Sequence, residues 1–271
     1  MKTIGFIGCG TMGSAIVRNI APLNTWNILL HDIREEVGKD LASETHSTFV
    51  SLEQLLEQAD TVVLAVKPQS LFELYVQLKS YQATQWISLV AGVSLETLSQ
   101  QLHSSDIVRI MPNIAASVGK AVTAVSPHKE AETQFVEEVM AFVNTFGFGH
   151  QLEEKDLAAF IGVSASAIAT CFAFLHGMAM GGVQQGLPYA TALTLISDTV
   201  EGATALSRQT KRHPEELLTQ VCSPGGTTIE AMKIVGESGF MGILMESVEA
   251  ASEKARELEA LANEITQRGT V

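Results

Sequence analysis

Lys2-Thr3-Ile4-Gly5-Phe6-Ile7-Gly8-Cys9-Gly10-Thr11-Met12-Gly13 opens the chain with an apolar run, a glycine-rich turn and the start of an apolar-periodic segment reaching about Ala21. The run Thr3–Ile7 reads as a buried strand, and the segment from Thr11 reads as a helix. Between them Gly8, Gly10 and Gly13 have the spacing of a dinucleotide-binding turn. The first glycine permits the tight turn, the second lets a pyrophosphate approach the backbone, and the third lets the helix lie close to the strand. The helix then presents unpaired N–H groups to the anion. Gly8, Cys9, Gly10, Thr11, Met12 and Gly13 are therefore candidate cofactor contacts. Trp26–His31 reads as the second strand, and Asp32 follows its end, 19 residues beyond Gly13. That is the place for an acid that accepts from the adenosine ribose. A carboxylate there favours NAD because it repels a 2′-phosphate. Arg34, two residues on, is suited to pair with that phosphate. The pattern accommodates NADH or NADPH.

Working outward, Thr61–Val66, Trp86–Val90, Ile107–Ile110 and Val122–Val125 are further short strands. Runs apolar on both faces belong in a parallel sheet covered by helices. Ser51 and Gln54 have capping-box spacing and open a helix to about Gln58. Ser126-Pro127 is expected to open another, to about Thr145. Residues 1–150 thus form a Rossmann-like, doubly wound α/β domain. Ligands of such sheets lie at the carboxyl ends of the strands. Lys67, in Ala65-Val66-Lys67-Pro68, stands at one such end, and Arg109-Ile110-Met111-Pro112-Asn113 closes another.

Beyond Glu153 the strand signals cease. Helices are expected at about 154–185, 189–209, 214–220, 227–236 and 240–267, with Pro188, Pro214 and Pro224 at or near the breaks. Residues 151–271 therefore read as an all-α domain. One stretch within it, Leu157–Ser197, has no Asp, Glu, Lys or Arg over 41 residues. It is long enough to cross a bilayer. However, it carries Ser164, Ser166, Thr170 and His176, and no Lys/Arg cluster flanks it to set an orientation. It reads as a helix buried in a soluble core or a subunit interface.

Composition narrows the function classes. The 271 residues are 46% apolar and 17% charged, which excludes a disordered chain. The net charge of −13 is spread evenly, −6 over residues 1–150 and −7 over the rest. Such a surface repels nucleic-acid phosphates and anionic lipid, so neither is an expected partner. Cys9, Cys171 and Cys222 are odd in number and far apart, which suits a reducing cytoplasm. The seven histidines include no HxxxH pair, and no metal site is expected.

A second constellation lies at Ser223-Pro224-Gly225-Gly226-Thr227-Thr228, just before the helical pattern from Ile229. Two glycines and a helix start expose backbone N–H groups, with hydroxyls at the rim. This is a nest for a carboxylate or phosphate, or else an ordinary Ser/Thr helix cap.

Together these segments resemble the pyrroline-5-carboxylate reductase family over nearly the whole chain. The resemblance rests on Gly5–Gly13, Leu64–Pro68, Ala91-Gly92-Val93, Arg109–Asn113, Gly182–Pro188 and, most specifically, Val221–Ile229, followed by Gly239-Phe240 and Glu249-Ala250-Ala251. It implies reduction of the C=N bond of 1-pyrroline-5-carboxylate, a cyclic imine, to L-proline by NADPH or NADH. It implies that the second domain dimerises and that dimers can assemble into rings. It places Ala65, Val66 and Lys67, with Pro68, along the cofactor, and Ala91 and Asn113 near the nicotinamide. It assigns Ser223, Gly225, Gly226, Thr227 and Thr228 to the substrate, Thr228 bonding the ring nitrogen.

The chain departs from the family pattern in three places, one of them Gln220, where the family often has Asn. Ile114-Ala115 replaces a Thr-Pro pair. Ala165–Thr170 replaces a Gly-Ser-Gly-Pro-Ala-Tyr segment, and loss of its glycines and proline should straighten that helix. Two other readings use the same features. A β-hydroxyacid-type dehydrogenase shares the two-domain plan but needs a lysine early in the helical domain, where 157–197 has none. A catalytically weak NAD(P)-binding regulatory paralogue would fit the departures, but not the intact Ser223–Thr228 segment.

Overall fold

Strands apolar on both faces need cover on both sides, and the architecture supplies it. The computed structural model describes residues 1–78, 81 and 85–268. In chain order the elements are β1 (Lys2–Ile7), α1 (Thr11–Ile20), β2 (Trp26–His31), α2 (Glu35–Thr45), β3 (Thr48–Phe49), α3 (Leu52–Gln58), β4 (Thr61–Leu64), α4 (Pro68–Leu78), β5 (Gln85–Ser88), α5 (Leu95–Leu102), β6 (Ile107–Pro112), β7 (Ala121–Pro127), α6 (Thr133–Asn144) and β8 (Gly147–Gln151). The helical part follows as α7 (Leu157–Phe160), α8 (Ala167–Gln184), α9 (Tyr189–Thr210), α10 (Pro214–Val221), α11 (Thr227–Glu237) and α12 (Phe240–Arg268).

The strand order is β3-β2-β1-β4-β5-β6-β7-β8. All neighbours are parallel except β6 and β7. The first six strands have the order of a dinucleotide-binding sheet, whose switch point lies between β1 and β4. Two apolar clusters fill the two faces. One gathers Phe6, Ile16, Leu30, Val63, Phe135 and Phe146; the other gathers Leu55, Leu64, Leu71, Trp86, Leu98 and Ile107. Full burial of side chains of this size contributes about 1.5–3 kcal/mol each. The capping box forms: Gln54 N donates to Ser51 Oγ at 3.2 Å, and Ser51 N donates to Gln54 Oε1 at 3.2 Å.

Three local expectations need correction. The strand at Val122–Val125 continues to Pro127, because Pro127 closes the antiparallel register opposite Val108. The helix expected from Ser126 therefore begins only at Thr133. β8, in Gly147-Phe148-Gly149-His150-Gln151, adds a strand to the far edge that the sequence pattern did not announce. Nor does the helix expected at about 154–185 run regularly. It starts as a 3₁₀ turn at Glu154–Asp156, becomes α-helical, then widens to a π segment at Ile161–Ala165 before α8 begins. π geometry inserts an extra residue into the ladder, and Ser164 in that wide turn accepts a hydrogen bond from Asn113 Nδ2 at 3.3 Å.

The chain divides into two units. One comprises Met1–Ala165 with Ala251–Val271, and the other Ser166–Ala250. In the second, α8 and α9 pack against each other where Gly182 faces Ala192: a Cβ built on Gly182 would lie 2.8 Å from that of Ala192. Ala179 and Ala192 are the buried residues of these two helices. Phe172, Met178, Met180, Leu195 and Leu206 are exposed. The chain by itself thus does not bury the helix that the sequence assigns to a core or an interface. Among the described residues one helical run, Glu154–Gln184, is long and apolar enough to cross a membrane, and 22% of its apolar window is buried.

Candidate functional site

The turn after β1 is built by its neighbours. Gly8 has φ +104°, which strains any side chain, and a Cβ there would meet the Ala65 carbonyl oxygen at 2.6 Å. A Cβ on Gly13 would meet the Gly8 carbonyl oxygen at 2.3 Å. Gly10 has open space around its Cβ position. It is also the N-cap of α1, with no side-chain cap and no acid in the first turn. Orphan N–H groups, open space and a positive helix end together fit a pyrophosphate. Thr11 is exposed, and Met12 is half-buried against the core.

Asp32 holds this turn in place. It is buried, at 7% exposure. Its Oδ2 accepts from Cys9 N at 2.8 Å, and its Oδ1 accepts from Arg34 N at 2.9 Å. Both oxygens thus serve backbone N–H groups of the site itself. Arg34 Nε stands 3.7 Å from Oδ1, with the side chain 68% exposed. The Cys9 thiol is buried and pushed up to about 12, first by loss of solvent and then by the charge of Asp32. It is a packing group, not a nucleophile.

The neighbouring strand ends contribute the rest of the rim. Ala65 N donates to Ile7 O at 2.9 Å, locking the turns after β1 and β4 together. Val66 is half-buried, Lys67 exposed, and Pro68 is the first residue of α4. Ala91 is exposed in the turn after β5, next to Gly92 at φ +73°. Asn113 is buried: Oδ1 accepts from Ala115 N and Val122 N, each at 3.3 Å, while Nδ2 donates to Ser164 Oγ.

In the second unit, Ser223–Thr228 forms another helix start with glycine at the N-cap and no side-chain cap. Gly225 takes φ +66°, and Gly226 N donates to Ser223 O at 3.0 Å. Gly226 is the N-cap of α11 and has no side-chain cap. The hydroxyls of Thr227 and Thr228 therefore do not close the helix end as an ordinary Ser/Thr cap would. Ser223, Gly225 and Thr227 are exposed, and Gly226 and Thr228 half-buried. The arrangement suits a small anion with a polar neighbour.

Sequence reasoning missed one cluster. Arg109, in the middle of β6, is 3% exposed. Its Nη1 pairs with Glu154, and with Glu259 of α12 at 3.2 Å. Glu259 lies 150 residues further along the chain, and no spacing signal connects the two.

Comparisons with known proteins agree with both halves. Residues 154–258 match the family described as pyrroline-5-carboxylate reductase dimerisation, and residues 3–92 the family described as NADP oxidoreductase, coenzyme F420-dependent. The pyrroline-5-carboxylate reductase of Aquifex aeolicus is 36% identical, over 94% of this chain and 97% of its own length. That of Escherichia coli is 32% identical, over 95% and 98%. The pyrroline carboxylate reductase of Plasmodium falciparum, solved with NADP bound, superposes with a TM-score of 0.84 at 26% identity, covering 95% of this chain and 98% of that one. The enzyme of Coxiella burnetii gives 0.86 at 26% identity, with the same coverage. One-third identity sustained over nearly the full length of both partners is too extensive to reflect a shared nucleotide fold alone, and the chain belongs to the pyrroline-5-carboxylate reductase family.

Proposed function

We propose that the protein reduces 1-pyrroline-5-carboxylate to L-proline with NADPH or NADH. The observation that carries this reading is the pair of open, uncapped helix starts at Gly10 and Gly226, in a chain of this family. One suits a pyrophosphate and the other a small carboxylate.

The coenzyme supplies a hydride. The chain's own residues bind and orient. Gly8–Gly13 receives the pyrophosphate on the N–H groups of α1, with Ala65, Val66, Lys67 and Pro68 along the rim and Ala91 and Asn113 towards the nicotinamide. Asn113 shapes its loop through Oδ1, which accepts two backbone N–H groups, and reaches Ser164 through Nδ2. Ser223, Gly225, Gly226 and Thr227 hold the substrate carboxylate, and the Thr228 hydroxyl fixes the ring nitrogen. A protonated cyclic imine is already electrophilic, so the site has no need of a strong acid. Orientation provides the rate. Hydride adds to the imine carbon, the C=N π electrons move onto nitrogen, and the product is the secondary amine.

Arg34 is the group available to a 2′-phosphate, while Asp32 is committed to the turn and repels that phosphate less than a free carboxylate would. NADPH is therefore accepted beside NADH. The 1–150 segment carries the coenzyme and the 151–271 segment the substrate. The exposed apolar faces of α8 and α9 are covered by a second copy of the chain. This accounts for the uncharged stretch without a bilayer and fits a cytoplasmic enzyme; solution mass distinguishes a dimer from a ring of dimers.

The test is direct. Purified protein, prepared without detergent, is incubated with pyrroline-5-carboxylate and either coenzyme, and loss of nicotinamide absorbance is followed. Turnover with at least one coenzyme is expected; none with either overturns the reading.

A further inference from the structure

Arg109 is a buried cation that the proposed chemistry leaves unused. Its backbone is fixed on both sides, opposite Ser88 of β5 and Ser126 of β7. Its guanidinium meets two carboxylates from distant segments, Glu154 and Glu259. Both lead to the same place. Glu154 Oε1 also accepts from Leu95 N at 2.7 Å, the first residue of α5 and the exit of the turn that follows β5. The helix carrying Glu259 lies on the entrance of that turn: a Cβ built on Gly92 would sit 3.1 Å from the Cβ of Ala262, 3.5 Å from the Leu258 carbonyl oxygen and 3.6 Å from the Glu259 Cα. Gly92 at φ +73° is what lets the turn fit beneath the helix.

We propose that Arg109 is a positioning residue for hydride transfer, acting through Glu154 and Glu259 to fix the 91–94 turn at the carboxyl end of β5. The inference rests on the activity proposed above and deepens it. Strand order supplies the connection. Asp32 at the end of β2 marks the adenosine side of the β1–β4 crevice. A dinucleotide crossing that crevice extends its other end past β4 towards β5. Exposed Ala91 borders that end, and Arg109 grips the turn from both sides. Remote misplacement of about 1 Å at a reacting centre costs on the order of a hundredfold in rate. Losing the guanidinium also leaves two carboxylates facing each other without a counter-charge, which would push the turn and α12 apart.

The test compares Arg109→Met, Arg109→Lys, Glu259→Gln and the double variant Arg109→Met/Glu259→Gln with wild type, each checked for folding by thermal melting. Arg109→Met is expected to lower kcat by about thirty- to a hundredfold, with the coenzyme KM changed less than about threefold. Arg109→Lys should recover about tenfold of that loss, because it keeps the charge but not the fork. The double variant should be faster than Arg109→Met alone, because one unpaired carboxylate is gone. A folded Arg109→Met with kcat within about twofold of wild type, or equal falls in kcat and coenzyme affinity throughout the series, overturns the inference. If Arg109→Met does not fold, Glu259→Gln and Arg109→Lys carry the same comparison, with smaller expected losses in kcat. A readout independent of turnover separates this inference from the activity itself: the fluorescence of NADPH bound at saturation. Arg109→Met should lose the enhancement that wild type gives its nicotinamide. Equal enhancement overturns the positioning role even where the imine is not reduced.

Discussion

Two helices of this protein, α1 and α11, begin in a similar way: glycine at the N-cap, a positive-φ glycine one or two residues before it, and no side-chain cap. Their surroundings differ. The start of α1 is held by close neighbours around the open Gly10, with Gly8 against Ala65, Gly13 against Gly8, and the Asp32 carboxylate taking the Cys9 N–H. The start of α11 is held chiefly by one internal bond, Gly226 to Ser223. The first site is preformed by the sheet. The second sits in a unit whose apolar helix faces are open. Preorganisation comes from packing density, not from the local motif, so similar helix starts should respond very differently to the same change.

The largest effect is expected from adding one methyl group to each. In Gly13→Ala the new Cβ meets the Gly8 carbonyl, a backbone atom tied into the β1 turn, at 2.3 Å. It should cost about 3 kcal/mol of stability or more and abolish coenzyme binding at ordinary concentrations. In Gly226→Ala the nearest atom is the Ser223 hydroxyl at 2.4 Å, the end of an exposed side chain that can rotate away. Its stability cost should stay below about 1 kcal/mol, with the defect appearing in substrate KM. Melting curves and coenzyme titrations of the two variants decide the matter, and equal destabilisation would break the contrast.

Next in size is Thr228→Ala. If Thr228 orients the reacting nitrogen as proposed, removing its hydroxyl should lower kcat/KM for the imine by about a hundredfold and leave coenzyme affinity unchanged. Wild-type speed in this variant would remove Thr228 from the site.

Asp32→Asn is milder and tests what the acid does. The amide keeps one acceptor oxygen for two backbone donors, so one N–H loses its partner. A cost of about 1–2 kcal/mol is expected, with NADH and NADPH affinities falling together. A loss confined to NADH would instead make Asp32 a reader of the ribose. Arg34→Ala provides the reverse comparison, raising the KM for NADPH several-fold and sparing NADH.

The contrast also explains what was legible in the sequence. The glycine loop could be read because each residue has a local duty, and Ser51 with Gln54 could be read for the same reason. Helices from Tyr189 onward end where proline and glycine punctuate them. The hidden features are non-local. Strand β8 alternates glycine with Phe148 and His150 and has little β-branched content, so only the sheet edge beside β7 makes it a strand. The late start of α6 follows from cross-strand register rather than from Pro127. The π turn depends on its tertiary setting, in which Ser164 meets Asn113 51 residues away. Glu259 reaches Arg109 from the end of the last helix.

The smallest effect expected at neutral pH lies in the thiols, which sample the two regions directly. Cys9 is sealed within the nucleotide turn, Cys222 is half-buried beside the second turn, and Cys171 is exposed on α8. At pH 8 an alkylating reagent should leave Cys9 untouched in the folded protein and modify Cys222 slowly. Cys171 should react in isolated chains and be shielded when a second copy covers α8. Alkali then provides the sign. Folding raises the Cys9 pKa from 9.0 to about 12, so the folded state holds a proton that the unfolded state releases. The associated stability is fully present below pH 9 and is lost as pH climbs towards 12, by at most a few kcal/mol. Burial pushes the Tyr75 hydroxyl up as well, which adds to the same alkaline slope. If Cys9 alkylates at pH 8 as readily as Cys222, the nucleotide turn opens as freely as the substrate turn, and the distinction between a preformed site and an incomplete one fails.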